Sequence, residues 1–164
     1  MGMKLLSSHQ SLGANVEVKI LTEPFDPWQE IQQFQLSSSA MQGKYGATSI
    51  FVGTMRDFNE GDEVTGMTLE HYPGMTEKQL GKIITEAMQK WQVLDVLVVH
   101  RVGDIFPDDP IVLVAVWSSH RGDAFDVSRF IMEALKSKAP FWKKEILQSE
   151  AVRWVDKNTD GYKK

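Results

Sequence analysis

Residues 93–102, VLDVLVVHRV, and residues 111–119, IVLVAVWSS, are apolar almost without interruption. β-Branched residues dominate both runs, so each reads as a strand, and a strand apolar on both sides must be covered on both sides. The connection between them, GDIFPDDP, is tight and carries two prolines. Every other element has to be arranged around this central pair.

Weaker strand signals flank it. Residues 16–21 alternate apolar and polar, 47–53 end a β-branched run at Gly53, and 64–72 follow a polar loop spanning 54–63. A short strand is expected at 153–155. Three segments have helical character. Asp26 and Pro27 give residues 26–36 a cap and a first-turn proline. Leu80, Ile83, Ile84, Ala87 and Met88 recur at helical spacing within 73–91. Val127, Ile131 and Leu135 share one face of 122–138, and Pro140 ends that helix because the residue before a proline is pushed out of the helical region. The expected fold class is α+β: two main helices packed on a mixed or mainly antiparallel sheet. Residues 1–15 read as a flexible lead, 16–155 as a single domain and 156–164 as a polar tail; 164 residues suit one domain.

Composition excludes several chemistries. There is no cysteine, hence no disulfide, no thiolate nucleophile and no cysteine-ligated metal. The histidines lack metal-ligand spacing, so no metal site and no cofactor are expected. A net charge of −4 argues against nucleic acid as a partner. No segment is long and apolar enough for a bilayer span or a secretory core, so no membrane association and a cytoplasmic location are expected.

Against that acidic background, Lys136, Lys138, Lys143 and Lys144 gather around Pro140-Phe141-Trp142. The helix dipole accounts for a cation on a last helical turn, and that suffices for one of Lys136 and Lys138. Clustered ammonium groups beside half-buried aromatics lower one another's pKa, which suits nucleophilic or acid–base chemistry. His120-Arg121 opens a helix, which is either an anion site or a cap with a surface arginine. Arg56 follows a strand end and either faces a ligand or is a solvated loop charge. His100-Arg101 ends one of the central strands and reads as structural.

The segments FVGTMRDFNEG, TLEHYPGMTEK, HRVGDIFPDD, SSHRGDAF and LKSKAPFWKKE follow one another in this order between about residue 46 and residue 155. Together they resemble the large, catalytic subunit of the molybdopterin synthase family. The resemblance implies an α/β-hammerhead fold and a sulfurtransferase. Sulfur would come from the C-terminal Gly-Gly thiocarboxylate of a small ubiquitin-like subunit and pass to cyclic pyranopterin monophosphate, forming the molybdopterin dithiolene. It also implies a heterotetramer built on a central homodimer of this chain. Carried onto this sequence, the family's catalytic lysines are Lys136 and Lys143. Its substrate-binding positions are Thr54, Met55, Arg56, His120, Arg121, Lys144 and Glu145. Relatives can carry a basic residue where this chain has Thr54, which leaves the direct role of Thr54 open. The competing reading is a non-catalytic module that binds an anion or a peptide tail. One geometric expectation follows. His120 and Lys136 stand about 24 Å apart if the segment between them is helical, beyond the reach of the two side chains, so a site using both must draw on two copies of the chain.

Overall fold

The computed structural model describes residues 2–4, 14–38, 42–156 and 161. Among the described residues, ten strands and three helices run in the order β1 (Gly2–Lys4), β2 (Asn15–Leu21), α1 (Pro27–Ser37), β3 (Ala47–Thr54), β4 (Phe58–Asn59), β5 (Asp62–His71), α2 (Met75–Lys90), β6 (Asp95–Arg101), β7 (Gly103–Ile105), β8 (Pro110–Ser118), α3 (Arg121–Lys138), β9 (Phe141–Leu147) and β10 (Val152–Val155). They form two sheets. The first has the order β1-β2-β6-β8-β3, in which only β2 and β6 run parallel; the second has the order β10-β9-β5-β4, with β7 also paired to β5.

The two apolar runs are β6 and β8, the adjacent inner strands of the first sheet. Alternation sorts their side chains into two cores. Val96, Val98, Val112, Val114 and Val116 face α2 and α3, where they meet Leu80, Ile83, Ile84, Ile131 and Leu135. Leu97, Val99, Leu113, Ala115 and Trp117 face the other way, onto Ile31 and Phe34 of α1. Phe34 stacks on Trp117 with ring centroids 4.9 Å apart. A third core, with Met67, Leu69, Val102 and Ile105 among its members, lies under the second sheet.

The helix signals are realised as expected. The Asp26 side chain accepts from the backbone N–H of Trp28 at 2.9 Å and of Gln29 at 3.4 Å, with Pro27 at the first helical position. The expectation of two main packed helices holds for the face covered by α2 and α3, while α1 covers the opposite face. Four strands depart from the sequence reading. β1 places Gly2–Lys4 against β2, within the expected lead, and residues 5–13 lie outside the described residues. Of the expected polar tail, Asp156 and Gly161 are described. β4 pairs with the start of β5 across Glu60-Gly61, where both residues have positive φ, 51° and 85°. That two-residue turn suits the strand twist, and glycine takes it without strain. β7 occupies the segment expected to be only a connection. β9 occupies the lysine-rich segment after the third helix, to which the sequence reading assigned no element.

Candidate functional site

The two sheets and the end of α3 enclose a cavity of about 240 Å³. Three cations line it: Arg56 just after β3, Lys136 in the last turn of α3, and Lys143 on β9. Gly53 also lines it, and a Cβ there would lie 2.7 Å from Cγ1 of Val112, so the strand can pass this close to β8 only without a side chain.

Each cation has a local reason to be where it is. Met55 is anchored by its backbone, donating to the Asp109 carbonyl at 2.9 Å and accepting from Asp108 N–H at 3.0 Å, with its side chain buried. Arg56 follows directly, its guanidinium carbon 4.9 Å from the centroid of the Phe58 ring, a cation–π contact between two residues that line the cavity. Lys136 and Lys138 sit about 200° apart around α3. Lys136 consequently lines the cavity, while Lys138 turns to Glu86 of α2 at 3.8 Å. Alternation along β9 sends Phe141, Lys143 and Glu145 into the cavity and Trp142, Lys144 and Ile146 to the opposite side.

The charges are tuned. Burial is the main cause that lowers the Lys143 pKa, and the neighbouring Lys136 and Arg56 lower it further against an opposing pull from Glu145. The Lys136 pKa is also lowered, chiefly by burial, with Arg56 adding to the effect and Glu133 opposing it. Both lysines therefore shed a proton more readily than a lysine in water.

The site residues expected from the sequence separate into two groups. Thr54, Met55, Arg56, Lys136, Lys143 and Glu145 line one cavity. Glu145 is 4% exposed and is held by Asn59 Nδ2 at 2.8 Å and Arg153 Nη2 at 2.9 Å. Arg153 also bonds Asp62 and the Asn59 carbonyl, so Glu145 fastens the β4–β5 hairpin to β9. Lys144, expected as a substrate contact, is carried out of the cavity by the strand alternation, and its Nζ lies 5.5 Å from the Trp154 ring centroid. His120 and Arg121 are the N-cap and first residue of α3, exposed and at the opposite end of that helix from Lys136. They do not line the cavity. Within a single protomer the structure does not bring them to the two lysines.

One cavity residue was read from sequence as structural: His100, 4% exposed. It occupies the alternate position after Val96 and Val98, the row of β6 that faces the helices, and that parity was the available signal. Its ring stacks on Phe141 with centroids 4.0 Å apart. Trp142, by contrast, is 47% exposed, because it stands on the outward side of β9.

A two-sheet α+β domain with three cations converging on a small, partly apolar cavity is the framework of an enzyme that handles anionic reactants. Comparison with known proteins identifies the kind. Residues 20–138 match the family model described as MoaE protein, and the chain belongs to that family. It is 50% identical over 139 residues to the molybdopterin synthase catalytic subunit of Ralstonia nicotianae, covering 85% of this chain and 76% of the relative. Among solved structures, the MoaE protein from Burkholderia ambifaria superposes with a TM-score of 0.71 at 48% identity, covering 88% of this chain and 92% of the other. Molybdopterin synthase from Staphylococcus aureus gives a TM-score of 0.73 at 31% identity, over 84% of this chain and 95% of the other.

Proposed function

We propose that this chain is the catalytic subunit of a molybdopterin synthase. It transfers sulfur from the C-terminal thiocarboxylate of a small ubiquitin-like subunit to cyclic pyranopterin monophosphate, building the dithiolene. The observation that carries this reading is the convergence of Arg56, Lys136 and Lys143 on one cavity. The substrate bears a cyclic phosphate and the sulfur donor is itself an anion. Bringing two anions together in a low-dielectric site requires fixed cations that need no rearrangement at the moment of reaction. The chain has no cysteine and so no thiol of its own to give up, which suits a sulfur donor carried by a partner.

In this reading Lys136 and Lys143 hold the thiocarboxylate and move protons, their lowered pKa values matching that task. Arg56 holds the phosphate. His120 and Arg121 complete the site from a second copy of the chain, because helix α3 separates them from Lys136 by about 22 to 24 Å along its axis. A two-fold dimer then carries two equivalent composite sites, each served by one small subunit, in a heterotetramer. No helix of the described residues is long and apolar enough to cross a membrane, which suits the cytoplasmic location we assign.

The decisive experiment mixes the chain with thiocarboxylated small subunit and cyclic pyranopterin monophosphate and measures dithiolene product. Product formation that depends on all three supports the reading. If the chain binds the partner tail and yields no product, it is a binding module.

A further inference from the structure

His100 has no part in the chemistry described so far, yet its ring is locked in place beside it. Nδ1 lies 2.8 Å from the Arg101 carbonyl oxygen. A carbonyl only accepts, so Nδ1 carries the hydrogen and, in the neutral ring, Nε2 holds a lone pair. That carbonyl belongs to a residue that is itself held fast. The Arg101 guanidinium donates to the carbonyls of Thr22, Val102 and Asp104. The flat face of the imidazole lies on Phe141 at an interplanar angle of 16°. With one edge tethered and one face stacked, the ring has no room to turn, and its remaining surface opens on the cavity.

The groups around it are cationic or committed elsewhere. Lys136 of α3 and Lys143 of β9 line the same cavity as His100, and together with His71 of β5 their charge disfavours a proton on its ring. Lys136, Arg56 and Glu145 face Lys143. Glu145 is occupied by Asn59 and Arg153. His71 approaches Glu77 at 3.9 Å. Phe141 and Lys143 are successive inward residues of β9, paired with His71 and Leu69 of β5, so fixing Phe141 also fixes the base of Lys143. A lysine whose proton is loosened by burial and by neighbouring cations needs a partner that sets its direction without adding negative charge. A carboxylate would hold the proton too firmly; a neutral imidazole orients the ammonium and leaves its pKa low.

We propose that His100 is a positioning residue for Lys143: a locked, neutral imidazole whose Nε2 accepts a hydrogen bond from the Lys143 ammonium and aims it at the reacting groups. The role rests on the sulfur-transfer reading above. Burial, reinforced by Lys136, His71 and Lys143, lowers the His100 pKa to about 4 and keeps the ring neutral in the working pH range.

The test uses two variants and the wild-type chain. His100→Phe keeps a ring to stack on Phe141 and removes the acceptor; His100→Gln keeps a donor and an acceptor. Lysine side-chain ¹³C NMR follows the Lys143 titration without requiring turnover, and the complex reconstituted with thiocarboxylated small subunit reports kcat and KM. For His100→Phe we expect kcat to fall about 10- to 100-fold with KM within about threefold, since acid–base positioning acts on the chemical step. The Lys143 pKa should fall by about half a unit with the loss of an acceptor for its charged form. His100→Gln should keep kcat within about threefold of wild type, because it can still accept the bond. Wild-type kcat and an unchanged Lys143 titration in His100→Phe overturn the proposal, as does equal loss in two folded variants. Should His100→Phe fail to fold, ¹⁵N spectra of the histidine-labelled wild type decide. The Nδ1–H tautomer must persist from about pH 5 to about pH 8, and an Nε2–H tautomer or an imidazolium in that range overturns the proposal. A wild-type complex that makes no dithiolene refutes the sulfur-transfer reading instead and leaves both NMR results to stand.

Discussion

The buried His100 should make this protein acid-sensitive in a defined window. Its folded-state pKa, about 4, lies below the 6.5 of an exposed imidazole. The unfolded chain therefore takes up a proton first as the pH falls, and stability drains away with it. The contribution is complete above about pH 6.5, is lost progressively between about 6.5 and 4, and changes no further below that. At 1.36 kcal/mol per pH unit, the full loss is about 3 kcal/mol, of which about 2 kcal/mol is gone by pH 5. Urea unfolding at fixed protein concentration, from pH 7.5 to 4.5, measures this for wild type and His100→Gln. Other titrating groups are common to both chains and cancel in the difference. The wild-type advantage over His100→Gln should shrink by about 2 kcal/mol between pH 7 and pH 5. Parallel curves across that interval would show that His100 is not held neutral by burial and would refute the reasoning.

Lys136→Ala should reduce dithiolene formation by about 100-fold or more while leaving small-subunit binding intact, because the ammonium acts on the reacting groups. Lys138→Ala should stay within about twofold, since that side chain is exposed and turned to Glu86; equal losses in steady-state assays would undo the assignment. Mixing Lys136→Ala chains with Arg121→Ala chains and allowing exchange should restore activity to about half of the mixed-dimer fraction, each mixed dimer holding one intact composite site. No recovery despite exchange shown by native mass spectrometry would mean that the site is not shared. Turnover should survive EDTA, as no step uses a metal; inactivation that added metal reverses would contradict this.

Local patterns in the sequence determined the helices and the central strands. The Asp26-Pro27 start, the Leu80–Ile84–Ala87 spacing and the runs of β6 and β8 each encode their element within a dozen residues, because capping and amphipathic periodicity are local physics. The family motifs likewise pointed to Arg56, Lys136 and Lys143, which share a cavity in the structure. The second sheet was another matter. β4, β7 and β9 are short or lysine-rich, and each is a strand because β5 offers it a hydrogen-bonding edge; beyond the Glu60-Gly61 turn between β4 and β5, no local signal encodes that pairing. Sorting the lysines was a tertiary decision as well. Lys143 and Lys144 are adjacent and chemically alike, and only the pairing of β9 with β5 decides that one enters the cavity and the other lies over Trp154. His100 looked like one more core residue on an apolar strand. Its stacking against Phe141, 41 positions further along the chain, is what sets it beside the lysines. That neighbourhood exists only once the two sheets have closed around the cavity, because long-range packing brings together groups that no sequence window contains.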